Sequence, residues 1–164
     1  MPLSLVGSEM CIRDRVTADV AIHQLFFDEN SIINFNSDFH VIPPFREKDD
    51  LLALQKATQD GTITAICSDH QPHNEDAKQA PFANTQHGIA SIEVFLPLIM
   101  ELVDLGILDL NTAVEKVTSG PAKILGIDAG IIRKGSSADL CIIKKEKWVF
   151  KDANIFSSGK NNPL

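Results

Sequence analysis

The run Thr-Ile-Thr-Ala-Ile-Cys-Ser at positions 62–68 leads straight into Asp69-His70-Gln71-Pro72-His73. The first part is short, apolar and β-rich, so it reads as a buried strand. The second sets one carboxylate and two imidazoles in a loop at that strand's carboxyl end. No other stretch constrains the fold as much. An acid and two histidines in such a place can bind a hard or borderline metal ion or move protons. In α/β barrels the active site lies on the face where the strands end, so position and chemistry agree. The residue types alone leave a second reading open, in which Asp69 caps the next turn and His70 and His73 are solvated loop residues.

The rest of the chain reads as alternating strands and helices. Residues 16–23 alternate β-branched and small side chains before Leu25, Phe26 and Phe27, which predicts a buried strand ending near His23. His23 could line the same mouth, although a single histidine there is more often a packed polar residue than a ligand. Residues 28–44 form a long polar loop ending in Pro43-Pro44, and long loops in compact domains are often functional. Residues 46–60 set Leu51, Leu52, Leu54, Ala57 and Thr58 on helical spacing, with Asp49 and Asp50 in the first turn and Gly61 as the stop. Residues 88–105 predict a long apolar helix whose face carries Ile89, Ile92, Phe95, Leu96, Ile99, Leu102 and Val103. Residues 110–117 and 122–125 read as two shorter helices separated by Gly120-Pro121. Beyond Gly130 the character changes to Gly135-Ser136-Ser137, a strand over 138–143 and a last apolar stretch over 148–150, a β segment outside the helical layer. That order favours an α/β barrel or sheet with an appended β subdomain.

Composition removes several classes of function. With 15 Lys plus Arg against 22 Asp plus Glu, the 164-residue chain carries a net charge of −7, a poor match for a nucleic-acid backbone. Hydrophobic residues at 44% and charged residues at 23% allow a packed core. The most apolar stretch, 89–108, is interrupted by Glu93, Pro97, Glu101 and Asp104, which excludes a transmembrane reading. Cys11, Cys67 and Cys141 lie far apart without a Cys-x-x-Cys pair, against a disulfide framework or a thiolate zinc site and in keeping with a reducing cytoplasm. Cys67 reads as a small core residue and Trp148 as packing in the β return. Residues 5–15 resemble the translation of a transposon end used to prepare sequencing libraries, so 1–15 read as a non-native leader.

Several strings in a fixed order carry a resemblance. They are Asp60-Gly61-Thr62-Ile63, Ser68-Asp69-His70-Gln71-Pro72-His73, Glu75 with Lys78, Pro81-Phe82, Gly88-Ile89 with Glu93, Gly120-Pro121-Ala122-Lys123-Ile124-Leu125-Gly126, and Lys134-Gly135-Ser136-Ser137-Ala138-Asp139-Leu140. Pro43-Pro44-Phe45-Arg46 is similar to an Asn-Pro-Pro-Leu-Arg loop, and residues 157–163 to a closing Ser-x-x-x-Asn-x-Pro. Together, over residues 16–164, they resemble dihydroorotases of the amidohydrolase superfamily. The Gly-x-x-Ala-Asp-Leu portion is common to cyclic amidohydrolases, whereas Ser-Asp-His-x-Pro-His with its Asp-Gly-Thr-Ile lead is much narrower.

The resemblance implies a zinc-dependent enzyme of pyrimidine synthesis that closes carbamoyl aspartate to dihydroorotate or opens it, with a zinc-activated hydroxide attacking the ring amide. Asp69 matches the acid that touches the metal and shuttles the proton; His73 matches the histidine that binds the substrate carboxylate. Gly88 falls in the loop whose backbone contacts the ring. The implied fold is the C-terminal part of a TIM-like (β/α)8 metal-dependent hydrolase barrel plus a small β-sandwich return segment. Residues 16–126 would supply the last two strand-helix units and 127–164 the β segment. A whole barrel needs about 250 residues, so this chain alone is expected to be inactive and marginally stable. The binuclear zinc site is expected to be incomplete, because the resemblance places its other ligands before residue 16.

Some positions depart from that pattern. Ile42 stands where an Asn is usual, His23-Gln24 replaces His-His, and Ser91-Ile92-Glu93-Val94 replaces Gly-Leu-Glu-Thr. Two other readings therefore stay open: another cyclic amidohydrolase such as a hydantoinase or allantoinase, and a non-catalytic dihydroorotase-like subunit that scaffolds aspartate carbamoyltransferase. The expected partners are a small-molecule substrate, with a homodimer or aspartate carbamoyltransferase as protein partners, and neither nucleic acid nor membrane.

Overall fold

Parallel pairing of two short strands positions everything else. β1 (Asp19–Ala21) lies beside β2 (Ala65–Cys67), with Asp19 opposite Ala65, Val20 opposite Ile66 and Ala21 opposite Cys67. The Thr64 N–H donates to the Ala18 carbonyl at 2.8 Å and continues the ladder below the named strands. Parallel neighbours need a crossover of a dozen or more residues, and this one contains α1 (Lys48–Gln59). The computed structural model describes residues 16–146, 149 and 156–164. Residues 1–15 with Cys11, and Trp148 and Phe150 of the expected β return, lie outside the described residues.

β1 is shorter than the expected strand over 16–23. After Ala21 the backbone tightens into a 3-10 turn, Ile22–Leu25, whose four residues are all buried. A strand would send alternate side chains to opposite faces. The turn instead brings Ile22 and Leu25 into one core with Val20, Ile63, Ile66, Ile99, Leu102, Leu108 and Ala113. A second apolar cluster of Val41, Phe45 and Ile89, with Phe27, Ile32 and Phe39 packed on it, lies under the loop that follows. That loop is not featureless: it holds 3-10 turns at Glu29–Ser31, Ile33–Phe35 and Ser37–Phe39.

The helices bury the faces that their spacing dictates. In α1, Leu54 and Ala57 pack against the core and Thr58 is buried, but Leu52 is 49% exposed. Leu51, Leu54 and Thr58 recur at i, i+3 and i+7 on one face, and Leu52 sits a quarter turn off it. α2 (Ile92–Asp104) buries Val94, Ile99 and Leu102, and starts later than expected, leaving Gly88 to Ser91 as the loop that enters it. α3 (Leu110–Val117) is capped by Asp109, whose side chain accepts the N–H groups of Asn111 at 3.0 Å and Thr112 at 3.1 Å. α4 (Ser119–Leu125) follows after Thr118 alone, so Gly120-Pro121 fall inside its first turn instead of separating two helices. Proline is tolerated there because first-turn N–H groups have no intrahelical partner. Gly126 ends α4 in the left-handed region.

The strand expected over 138–143 is absent from the described residues, which have no regular structure from 127 to 146. Leu140 is 63% exposed and Ile142 97%. An extended segment gains little without a neighbour to take its backbone hydrogen bonds, and no described strand lies beside it. No helix among the described residues is long and apolar enough to cross a membrane.

Candidate active site

β1 and β2 run parallel and in register, so the residues that follow them emerge on one side. From β1 comes His23, 3% exposed; from β2 comes Asp69, whose side chain is 32% exposed. The His23 Nε2 lies 3.9 Å from Asp69 Oδ2. The other carboxylate oxygen, Oδ1, accepts the Gln71 side-chain amide at 2.8 Å. Asp69 therefore aims one oxygen at a buried imidazole and has the other fixed, and it does not cap a turn. Its backbone sits at φ 45°, in the left-handed region, where a non-glycine residue is held at some cost. Burial lowers the His23 pKa, against the opposing pull of the Asp69 charge, which raises it. Its Nδ1 is buried without a hydrogen-bond partner among the described residues. Next to this pair, burial foremost pushes the Cys67 thiol up to about 12, with Asp19 adding to the effect, so it is a protonated packing group and not a nucleophile.

The two other histidines of the cluster take separate duties. His70 accepts through Nδ1 the N–H groups of Ser91 and Ile92, both at 3.1 Å, and so occupies the open N-terminus of α2. Ser91 does not cap that helix; its hydroxyl donates to the Ser68 carbonyl instead. His73 donates through Nε2 to the His87 carbonyl at 2.8 Å, while its backbone N–H donates to Asn161 Oδ1 at 2.7 Å. His73 borders a cavity of about 400 Å³, to which Asp38, Lys78, Lys160 and Asn161 also contribute.

Gly88 closes the far side. It is buried at φ 122°, and a Cβ there would come within 2.4 Å of the Gln71 Cβ, so only glycine lets the loop approach the Asp69 turn this closely. Its backbone groups are already engaged. The N–H donates to the His40 carbonyl at 2.8 Å, and its carbonyl accepts Lys78 Nζ and Asn161 Nδ2, each at 2.9 Å. His40 is tied to the same loop a second time, donating through Nδ1 to the Thr85 hydroxyl at 2.8 Å.

A family model described as the amidohydrolase family matches residues 17–164. The chain belongs to this family. It is 42% identical over 149 residues to a "Dihydroorotase-like protein" of Pseudomonas aeruginosa, covering 91% of this chain and 35% of that protein. It is 38% identical over 169 residues to a "Dihydroorotase" of Syntrophus aciditrophicus, covering 99% of this chain and 40% of that one. The amidohydrolase chain thus spans between about a third and two fifths of these relatives' length. Among solved structures it is similar to an L-hydantoinase from Arthrobacter aurescens, with a TM-score of 0.70 and 26% identity, covering 75% of this chain and 29% of that one. A D-hydantoinase at 24% identity and a TM-score of 0.68 shares the fold.

The amidohydrolase strand ends fit part of a metal site. The 3.9 Å separation of His23 Nε2 and Asp69 Oδ2 is too long for a hydrogen bond. It is short enough for one zinc ion, with bonds of about 2.0–2.2 Å, to touch both. An imidazole and a carboxylate are suitable donors for a borderline divalent cation, but zinc takes about four. Among the described residues no group of three His, Cys, Asp or Glu side chains completes the set. Asp69 follows a strand end as the local sequence predicts, and the parallel register sets His23, which by sequence alone resembles a packed polar residue, across from it. The signal for His23 was its position just past a predicted strand, the same as that of Asp69. For Gln71 and Asn161 nothing in the local sequence marks the contacts they make.

Proposed function

We propose that this amidohydrolase chain supplies part of the active site of a cyclic amide hydrolase of the dihydroorotase kind, which closes carbamoyl aspartate to dihydroorotate or reopens it. In this reading β1 and β2 are neighbouring strands of a (β/α)8 barrel. The observation that carries it is Asp69: a partly exposed carboxylate on a strand end, one oxygen free toward His23 and the other oriented by Gln71.

Asp69 and His23 would hold a zinc ion together with donors from outside the described residues. Zinc, when bound, supplies Lewis-acid polarisation of the amide carbonyl and makes water a better nucleophile. The Asp69 carboxylate would accept the proton of the attacking water and return it to the departing ring nitrogen, and the reverse in ring closure. Gln71 keeps the carboxylate from rotating between these two steps. His73 would offer an N–H to the carboxylate that dihydroorotate and carbamoyl aspartate both carry. Gly88 enters through the close approach it permits, and a direct ring contact by its backbone would share a group already bonded to His40, Lys78 or Asn161.

The test uses the protein expressed from its natural gene with zinc in the medium. It should hydrolyse dihydroorotate faster than hydantoin, and Asp69→Asn should lower kcat by roughly a hundredfold or more. A wild-type rate in Asp69→Asn removes the assignment. Hydantoin as the better substrate moves the reading to a hydantoinase. The scaffold reading draws on Ile42, an apolar side chain 60% exposed where the resemblance expects an amide. A folded protein without zinc and without either activity favours the scaffold reading.

A further inference from the structure

One side chain near the end of the chain is wholly occupied with the two loops of the candidate site. Asn161 is 5% exposed. Its Oδ1 accepts the His73 backbone N–H at 2.7 Å, and its Nδ2 donates to the Gln71 carbonyl at 3.0 Å and the Gly88 carbonyl at 2.9 Å. Its own carbonyl accepts the Ala90 N–H at 2.9 Å. Both amide protons and the amide oxygen are thus used, each on backbone, and on segments 73 to 90 residues away in sequence. Two residues earlier Gly159 lies so close to the same turn that a Cβ would come within 2.3 Å of the His73 nitrogen. The segment is anchored separately by Glu93 of α2, whose Oε1 accepts the N–H groups of Phe156 at 3.1 Å and Ser157 at 2.7 Å.

We infer that Asn161 is a positioning residue that ties the turn carrying His73 to the loop carrying Gly88, and so fixes where the His73 imidazole meets an anionic substrate. The inference rests on the reading of His73 as substrate anchor given above. The ring is fixed from two sides: its backbone by Asn161, and its Nε2 by the carbonyl of His87, the neighbour of Gly88. Loosening the tie therefore moves the imidazole relative to the loop that orients it. An amide suits the position because it combines one acceptor with two donors. A carboxylate there would face the carbonyls of Gln71 and Gly88 with lone pairs only. The effect falls on substrate binding more than on chemistry, since the proton carrier Asp69 keeps its own partner in the Gln71 side chain.

The test compares Asn161→Asp and Asn161→Ala with Glu93→Ala in the protein expressed from its natural gene. The Glu93 variant frees the same segment without touching either loop. KM for dihydroorotate should rise about tenfold in both Asn161 variants, a change of the size expected when a buried hydrogen-bond partner is lost, while kcat moves much less. Glu93→Ala should leave KM unchanged. Amide hydrogen exchange at His73 should quicken in Asn161→Ala, which loses the acceptor, and stay slow in Glu93→Ala. An unchanged KM in a folded Asn161 variant overturns the inference. So does an equal rise in Glu93→Ala, because attachment of the segment would then suffice. If neither Asn161 variant folds well enough for kinetics, Asn161→Ser under native exchange decides, and slow exchange at His73 overturns the tie. A wild-type protein inert toward dihydroorotate defeats the functional reading instead, and the exchange measurement then decides by itself whether Asn161 holds His73.

Discussion

Two stretches of this chain lack strands and long helices, and they are built in opposite ways. Residues 69–91 have only two 3-10 turns, yet several of their polar groups meet partners across loops. Lys78 donates to the carbonyls of Ser37 at 3.0 Å, Gln86 at 2.8 Å and Gly88 at 2.9 Å. His70 caps α2, and Asn161 spans both edges. Residues 127–146 have more β-branched and apolar side chains in strand-like runs, yet Ile132 is 87% and Ile142 97% exposed. Their polar contacts are surface ion pairs such as Arg133 with Asp128 and Lys145 with Asp104, a kind that contributes little. The contrast teaches that irregular backbone is held by donors that cross between loops and satisfy carbonyls, whereas β propensity without an adjacent strand secures nothing.

The harshest way to break the comparison is to spoil the closest approach in the held stretch. Gly88→Ala puts a Cβ within 2.4 Å of the Gln71 Cβ at a φ of 122°. Strain and overpacking together should cost about 3 kcal/mol or more, read as a lowered urea midpoint. A stability equal to that of the parent would mean that the Gln71 turn and the Gly88 loop are not pressed together. A milder change probes the anchor of the closing segment. Burial by itself raises the Glu93 carboxyl, but the backbone N–H groups of Ser157 and of Glu93 itself, with the Ser157 hydroxyl and the Phe156 N–H, hold it net below the usual glutamate range. With the folded pKa depressed, the unfolded state binds more protons between the two values. The stabilisation is therefore complete above the unfolded value, about 4.3, and is lost as pH falls through the folded one. Exchange of the Phe156 and Ser157 amides should quicken on acidification through that window in the parent, and Glu93→Gln should show no such step.

Much of this was legible beforehand, and what was not has a common physical cause. α3 has its expected limits because Asp109 and the apolar spacing are local signals. Asp69 was placed at a strand end because an apolar run and an acid are adjacent in sequence. His23 reads as packing in the sequence because its meaning depends on the register of β1 against β2, which pairs residues 46 apart. His70 as the cap of α2 and Asn161 as the tie are likewise invisible in any short window, since their partners lie from 21 to 90 residues away. Leu52 and the strand over 138–143 failed for the converse reason. Both follow a local pattern that no neighbouring element here rewards with burial.

The smallest expected effect tests the other side of the comparison. If residues 127–146 gain nothing from their β-type sequence, then Ile142, 97% exposed, has no apolar contact to lose. Ile142→Lys should then change stability by no more than about 0.5 kcal/mol, the range for surface positions. The substitution also lowers β propensity, so it would be destabilising if a strand formed there and its outer face were covered. Measuring it twice sharpens the point. A null effect on this 164-residue chain, together with a loss of about 1 kcal/mol or more in the protein expressed from its natural gene, would show that further chain supplies the neighbour this segment lacks. A loss of that size in the 164-residue chain itself would mean that the segment is already paired, and the contrast with residues 69–91 would fail.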